Sequence, residues 1–324
     1  MKTILFLTFV LSYSQQLLAR NWQKIVIPGA KCANGSDYSL FYSQGDSSKL
    51  AIEFMGGGAC WSQSTCKGPN LRTWIYPIPK IPAFSHFSSD GSILGKHTFI
   101  YLPYCTGDVF SGNHDAEYKD RKFILHWGKR NIQLALEFIT QSKLDPNRLQ
   151  ELIVFGSSAG GIGSLIHSKN IADHFPKVPH KKLIADSVGL HFGDQFWNKF
   201  TENQIHDFDD SFKNIFLDVN FSTGFIAPAL KKFCDYTPWK VLFIQSTRDV
   251  IMSSLFGDIA PEEHEKRVLG PHGMRQVLKD HQNCKTFISN GSSHAYMIIK
   301  SLMEDTRERD SQQTMYQQVV DFMK

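Results

Sequence analysis

The chain has 324 residues, of which 42% are hydrophobic and 20% charged, the composition of an ordinary globular protein with ample length for a large core. Its net charge of +4 is mild. Lysines and arginines are spread along the chain, which excludes a nucleic-acid-binding arm, and no nucleic-acid partner is expected.

The chain opens with Met1-Lys2, an apolar run from Ile4 to Leu11, and small residues at Ser12, Ser14 and Ala19. A basic start, a short apolar run and a small-residue site predict a signal peptide over 1–19, cleaved after Ser14 or Ala19. The run falls short of the ~20 residues needed to cross a bilayer. No later segment approaches that length, so stable membrane insertion is not expected. The location read from this is secreted or periplasmic. No repeat, low-complexity linker or composition break divides 20–324, which reads as one catalytic domain. Six cysteines, Cys32, Cys60, Cys66, Cys105, Cys234 and Cys284, behind such a leader predict disulfides, with connectivity open from spacing alone. No Cys-x-x-Cys or His-x-x-x-His accompanies them, so neither a metal nor a cofactor is expected.

Strand-like runs follow at Ile25–Ile27, Leu50–Met55, Thr98–Leu102, Leu152–Phe155, Leu183–Ala185, Val241–Gln245 and Thr286–Ser289. Helical stretches, such as Asn131–Ile139 and Ile162–His174, lie between them. This alternation predicts an α/β class: a mostly parallel sheet with helices on both faces. The run at Leu50–Met55 ends in Gly56-Gly57-Gly58. Glycines straight after a strand let backbone N–H groups close on a ligand, and Gly57 and Gly58 are the expected oxyanion donors. No Gly-Lys-Ser/Thr follows, which argues against a phosphate cradle. Trp61 is read either as a wall of the substrate pocket or as a packed core residue.

The strongest pattern is Leu152-Ile153-Val154-Phe155-Gly156-Ser157-Ser158-Ala159-Gly160-Gly161. A strand running into Gly-x-Ser-x-Gly and then a helix is the nucleophile elbow of the α/β-hydrolase fold, with Ser158 as nucleophile. Ala159, the next residue, supplies a further oxyanion N–H. In this fold the order is Ser, then Asp or Glu, then His. Asp249 follows the run Val241–Gln245, and His294 follows the last run through Asn290-Gly291-Ser292-Ser293. These are the expected acid and base, with Asp186 the alternative acid. His272 and His281 are read as solvated. Nine phenylalanines fall between Phe192 and Phe233. Phe192, Phe196 and Phe200, and then Phe208, Phe212 and Phe216, are spaced for one face of a helix each. They predict two amphipathic helices in an insertion late in the chain, packed on the core or capping a pocket.

Five segments taken in order resemble the pectin acetylesterase and Notum family of carboxylesterases. They are Gly56-Gly57-Gly58-Ala59-Cys60-Trp61 with Cys66, Pro103-Tyr104-Cys105-Thr106-Gly107-Asp108, His126-Trp127-Gly128-Lys129-Arg130-Asn131, the elbow itself, and Asp186-Ser187. The resemblance implies a secreted Ser-His-Asp ester hydrolase working through an acyl-enzyme. It implies the triad Ser158, Asp249 and His294, the oxyanion donors Gly57, Gly58 and Ala159, and a short Cys60–Cys66 bridge. The substrate it implies is an acetylated polysaccharide such as pectin. Phenylalanine stripes packed on the core would leave a small acyl pocket, which points the same way, so acetyl esters are expected to be the best substrates, with kcat/KM falling beyond butyryl. A lipid-type or protein O-deacylase, suggested by the phenylalanine-rich insertion, is the alternative. A peptidase or a non-catalytic binding protein on the same fold ranks lower.

Overall fold

The computed structural model describes residues 20–68, 73–83, 85–89, 91–118 and 123–324. The expected signal peptide lies outside the described residues. Strands β1 (Gln23–Lys31), β2 (Asp37–Ser43), β3 (Asp46–Phe54) and β4 (His97–Leu102) begin the sheet. The hairpin β5 (His114–Glu117) and β6 (Phe123–His126) stands apart. Strands β7 (Glu151–Ser157), β8 (His180–Asp186), β9 (Lys240–Ser246) and β10 (Cys284–Ser289) complete an eight-stranded sheet of order β1-β2-β4-β3-β7-β8-β9-β10. The first two pairings are antiparallel and the other five parallel.

Both faces of the parallel part of this sheet are buried, which is why β3, β4 and β7–β10 read as largely apolar runs, whereas edge strand β1 is mostly exposed. On β3, Leu50, Ile52 and Phe54 point to one core with Ile132 and Leu136 of the helix Gly128–Ser142. Ala51 points to the other core, with Ile153, Phe155 and Ile184 from neighbouring strands. Met303 and Val319 from the helices Lys300–Asp305 and Met315–Met323 close that second core. The helix Gly128–Ser142 buries Ile132, Ala135, Leu136 and Ile139, residues three and four apart on one stripe. Truncating Leu136 to alanine there would cost about 2–5 kcal/mol.

All six cysteines are paired: Cys32–Cys105, Cys60–Cys66 and Cys234–Cys284. The first joins the end of β1 to the chain after β4, and the last joins the insertion to edge strand β10. Such links restrict the unfolded chain and are typical of oxidising compartments.

Three local expectations differ from the structure. The stretch Ile162–His174 is two helices, Ala159–Ile166 and Ser168–His174. They meet at His167, whose Nε2 lies 2.9 Å from the carbonyl of Phe110. In the insertion between β8 and β9, Phe192, Phe196 and Phe200 do not share an α-helix. Only a 3₁₀ turn, Phe196–Lys199, forms, because Gly193 N donates to Gly257 O and Thr201 caps the next helix. That helix, Glu202–Asn214, carries Phe208 and Phe212 on its buried face. Phe216 lies beyond its end, at φ 63°, and is exposed.

Glu53 on β3 gives the fold a pH dependence. Its carboxyl is buried and accepts from the Ser85 hydroxyl, while its other oxygen has no partner among the described residues. Burial pushes this group up from 4.5 to about 8, the serine hydrogen bond opposing the shift. A raised folded-state value means that its stabilising contribution is whole below pH 4.5 and lost as pH rises through about 8. The full effect is on the order of 5 kcal/mol. Glu53→Gln is expected to remove this slope, so the melting temperature of the variant gains on the wild type as pH rises. Parallel melting curves across that range would refute it.

Candidate active site

The chain leaves β7 at Ser157 and enters the helix Ala159–Ile166 with one residue between them, Ser158. So abrupt a reversal forces Ser158 to φ 59° and ψ −127°, a conformation costly for a residue with a Cβ. The glycines around it are steric necessities. A Cβ on Gly160 would stand 2.1 Å from the carbonyl oxygen of Phe54, and one on Gly156 would stand 2.3 Å from that of Gly160. Ser158 thereby caps a helix N-terminus, where N–H groups and the helix dipole favour negative charge.

Ser158 borders a cavity of about 400 Å³ together with Gly58, Ala59, Trp61, Val109, Ala159 and Ile162. Its remaining wall is Ile251, Met252, Leu255 and Phe256. Gly58 and Ala159 thus stand beside the serine. Gly57 is not among the lining residues; its carbonyl accepts from Trp74 N at 3.0 Å, and a Cβ there would stand 2.6 Å from the Tyr104 ring. The described lining carries no charged side chain.

His294 and Asp249 come together on adjacent loops. The His294 Nδ1–H donates to Asp249 Oδ2 at 2.8 Å, which leaves Nε2 as a proton acceptor. Asp249 is wholly buried, and its Oδ1 accepts from Met252 N at 2.9 Å. The loops after β9 and β10 are laced together: Thr247 N donates to Ser289 O, Arg248 N to Gly291 O, and Ser246 Oγ to Ser293 O.

Asp186, the alternative acid, has a different place. Its carboxylate accepts from Ser157 Oγ, Ser187 Oγ and Met297 N at 2.7, 2.8 and 2.9 Å. Its carbonyl accepts from Ser158 N at 2.8 Å. Burial pushes its carboxyl up, against the lowering effect of these donors. Ala295 N also donates to Ser187 Oγ, at 3.0 Å. Asp186-Ser187 therefore ties the turn bearing Ser158 to the loop bearing His294, without a hydrogen bond to the imidazole.

Two motifs read only as family signatures have local work. Asp108 accepts from Thr106 Oγ1, Phe110 N and Gly128 N, joining the loop after β4 to the helix Gly128–Ser142. Tyr104 OH accepts from Val109 N at 2.7 Å and so holds a cavity wall residue. The pocket wall at Ile251–Phe256 escaped sequence reasoning. Those residues form a five-residue π-helical turn, Ile251–Leu255, for which short apolar runs give no periodic signal. The phenylalanines of the insertion pack mainly among themselves and on the core, so they do not fill the cavity. At about 400 Å³ the cavity is larger than the small pocket expected with those phenylalanines on the core, because its walls come from Trp61 and the stretch Ile251–Phe256. Cys60, Cys66 and His126 bring three potential metal ligands within 4.8 Å, but both sulfurs are spent in a disulfide.

An elbow serine above a mostly parallel sheet, antiparallel only at its start, with helices on both faces, places the protein in the α/β-hydrolase class. Within it, the chain belongs to the pectinacetylesterase family, whose sequence pattern matches residues 20–320. It is 29% identical over 169 residues to pectin acetylesterase 4 of Arabidopsis thaliana, a match covering 49% of this chain and 40% of that protein. It is 28% identical over 191 residues to pectin acetylesterase 5 of the same plant, covering 55% and 44%. The palmitoleoyl-protein carboxylesterase NOTUM of Schmidtea mediterranea is 24% identical over 152 residues, covering 44% and 28%. The matched stretches thus span less than half the length of these relatives.

Proposed function

We propose that this protein is an exported serine carboxylic-ester hydrolase with Ser158 as nucleophile, His294 as base and Asp249 as its orienting acid. The observation that carries the reading is the strained Ser158 at the edge of an apolar cavity, beside loops that hold a His294–Asp249 pair. Ser158 Oγ attacks the ester carbonyl while His294 Nε2 takes its proton. The oxyanion is held by the N–H groups of Gly58 and Ala159, with Gly57 in support. The C–O bond to the alcohol then breaks, and the imidazolium returns the proton to that oxygen. Water, deprotonated by His294, attacks the acyl-serine; the acyl–Oγ bond breaks as the imidazolium returns its proton to Ser158 Oγ, and the carboxylic acid leaves. The three disulfides support an oxidising, extracytoplasmic setting. Among the described residues no helix is long and apolar enough to cross a membrane.

For the acyl group, the geometry favours an apolar chain longer than acetyl. A cavity of about 400 Å³ walled by aliphatic and aromatic side chains exceeds what two carbons fill. Each buried methylene contributes about 0.8 kcal/mol, or roughly fourfold in binding. The expected result is a kcat/KM for nitrophenyl esters that rises at least tenfold from acetyl to hexanoyl. The second reading, removal of acetyl from an acetylated polysaccharide, is favoured by the family and by the named activity of the two plant relatives. It requires kcat/KM to fall beyond butyryl and acetate to be released from acetylated pectin or xylan. That pattern would displace the longer-chain reading.

A further inference from the structure

Lys199 ends the 3₁₀ turn Phe196–Lys199, and its side chain is 13% exposed. Its Nζ stands 4.4 Å from the ring centroid of Phe196 and 4.8 Å from those of Trp61 and Phe256, with Phe200 at 5.5 Å. The same ammonium donates to the carbonyl of Phe256 and, at 2.8 Å, to Asp258 Oδ2. These partners come from three separate segments: the Cys60–Cys66 loop, the insertion, and the chain just after the π-helical turn. Two of the rings, Trp61 and Phe256, line the cavity beside Ser158, and their centroids lie 6.0 Å apart. A cation drawn to several ring faces at once, and hydrogen-bonded on its remaining side, fixes the positions of those rings relative to one another. Apolar packing alone is non-directional and would let the two rings slide.

We infer that Lys199 is a specificity-determining positioning residue, whose ammonium pins Trp61 and Phe256 and so sets the shape of the acyl cavity. The inference rests on the ester-hydrolase reading of Ser158. Lys199 does not line the cavity, so it acts on substrate through the two rings. Its bond to the Phe256 carbonyl also steadies the turn that begins beside Asp249. A lysine that merely buries its stem on apolar surface would affect stability alone. A pinning lysine affects discrimination between acyl chains.

The test compares wild type, Lys199→Met and Lys199→Arg on nitrophenyl acetate and nitrophenyl octanoate. Turnover is normalised to fluorophosphonate-reactive serine so that only folded enzyme counts. Methionine keeps an apolar stem and removes the charge; arginine keeps the charge. Lys199→Met is expected to change the octanoyl-to-acetyl ratio of kcat/KM at least tenfold, chiefly through KM for octanoate. Lys199→Arg is expected to hold the ratio within threefold. A ratio unchanged in Lys199→Met, or equal losses on both esters, overturns the role. Should Lys199→Met yield no folded protein, Asp258→Asn loosens the same ammonium from the surface. It is expected to move the ratio at least threefold, and an unmoved ratio there overturns the inference equally. A wild type that hydrolyses neither ester removes the ester-hydrolase reading and this role with it. An active wild type with unmoved ratios removes this role alone.

Discussion

Ser158→Ala is expected to lower ester turnover by on the order of 10⁴–10⁶-fold while leaving the fold intact. The size of the loss follows from the proposed chemistry: without Oγ the acyl-enzyme cannot form, and only the proposed oxyanion donors and the cavity remain to assist water. The fold survives because the strained backbone at Ser158 is held by its surroundings. Ser158 N is bonded to Asp186 O, the register Ser157 opposite Asp186 continues the sheet, and Ile162 N is bonded to Ser158 O. Alanine keeps all three. Ser157 is the control. Its hydroxyl is directed to Asp186 Oδ2 at 2.7 Å, so Ser157→Ala removes one buried hydrogen bond and no reacting atom. It is expected to cost stability of about 1–3 kcal/mol and to keep activity within about tenfold. A fluorophosphonate should label wild type and Ser157→Ala, and not Ser158→Ala. Wild-type turnover in Ser158→Ala would end the proposal.

The sequence was most legible where sterics leave no choice. Gly156 and Gly160 could be read as an elbow because any Cβ there meets backbone oxygen, and no other residue type fits. The parallel core of the sheet was legible because strands buried on both faces are apolar throughout. Strand β2 was not, since Tyr38, Ser39, Leu40, Phe41, Tyr42 and Ser43 are all buried but mix hydroxyls into the run. Hairpin β5–β6 was hidden because it is short and carries His114, Asp115 and Glu117. The insertion misled for another reason: four-residue spacing of Phe192, Phe196 and Phe200 arises there from ring stacking around a 3₁₀ turn. Phe192 and Phe196 stack at 4.1 Å between centroids without a helix to align them. The lacing of the His294 loop to β8 through Asp186 and Ser187 depends on contacts more than a hundred positions apart, which no local pattern carries.

Asp249 and Asp186 can be separated by experiment, because their partners make opposite demands. Asp249→Asn keeps an oxygen for Met252 N but presents an amide N–H₂ toward His294 Nδ1, or loses the bond to Met252 N if turned over. Facing a donor, the imidazole is driven to carry its proton on Nε2, the atom that accepts from Ser158 in the proposed mechanism. The expected loss in kcat is on the order of 10⁴-fold, with a small change in melting temperature. His294→Ala removes the proposed base and is expected to cost on the order of 10⁴–10⁶-fold. His281, whose Nε2 is 2.9 Å from Asp235 Oδ1, lies before β10 begins, at the far end of that strand from His294, so His281→Ala serves as the neutral control. Asp186→Asn disturbs a wholly buried acceptor of three donors, so its main effect is expected in stability, with a smaller loss of turnover per folded molecule. Measuring kcat per mole of folded protein, quantified by circular dichroism, beside the melting temperature separates the two cases. If Asp186→Asn instead loses more turnover per folded enzyme than Asp249→Asn, the acid belongs at Asp186 and the His294–Asp249 bond is structural.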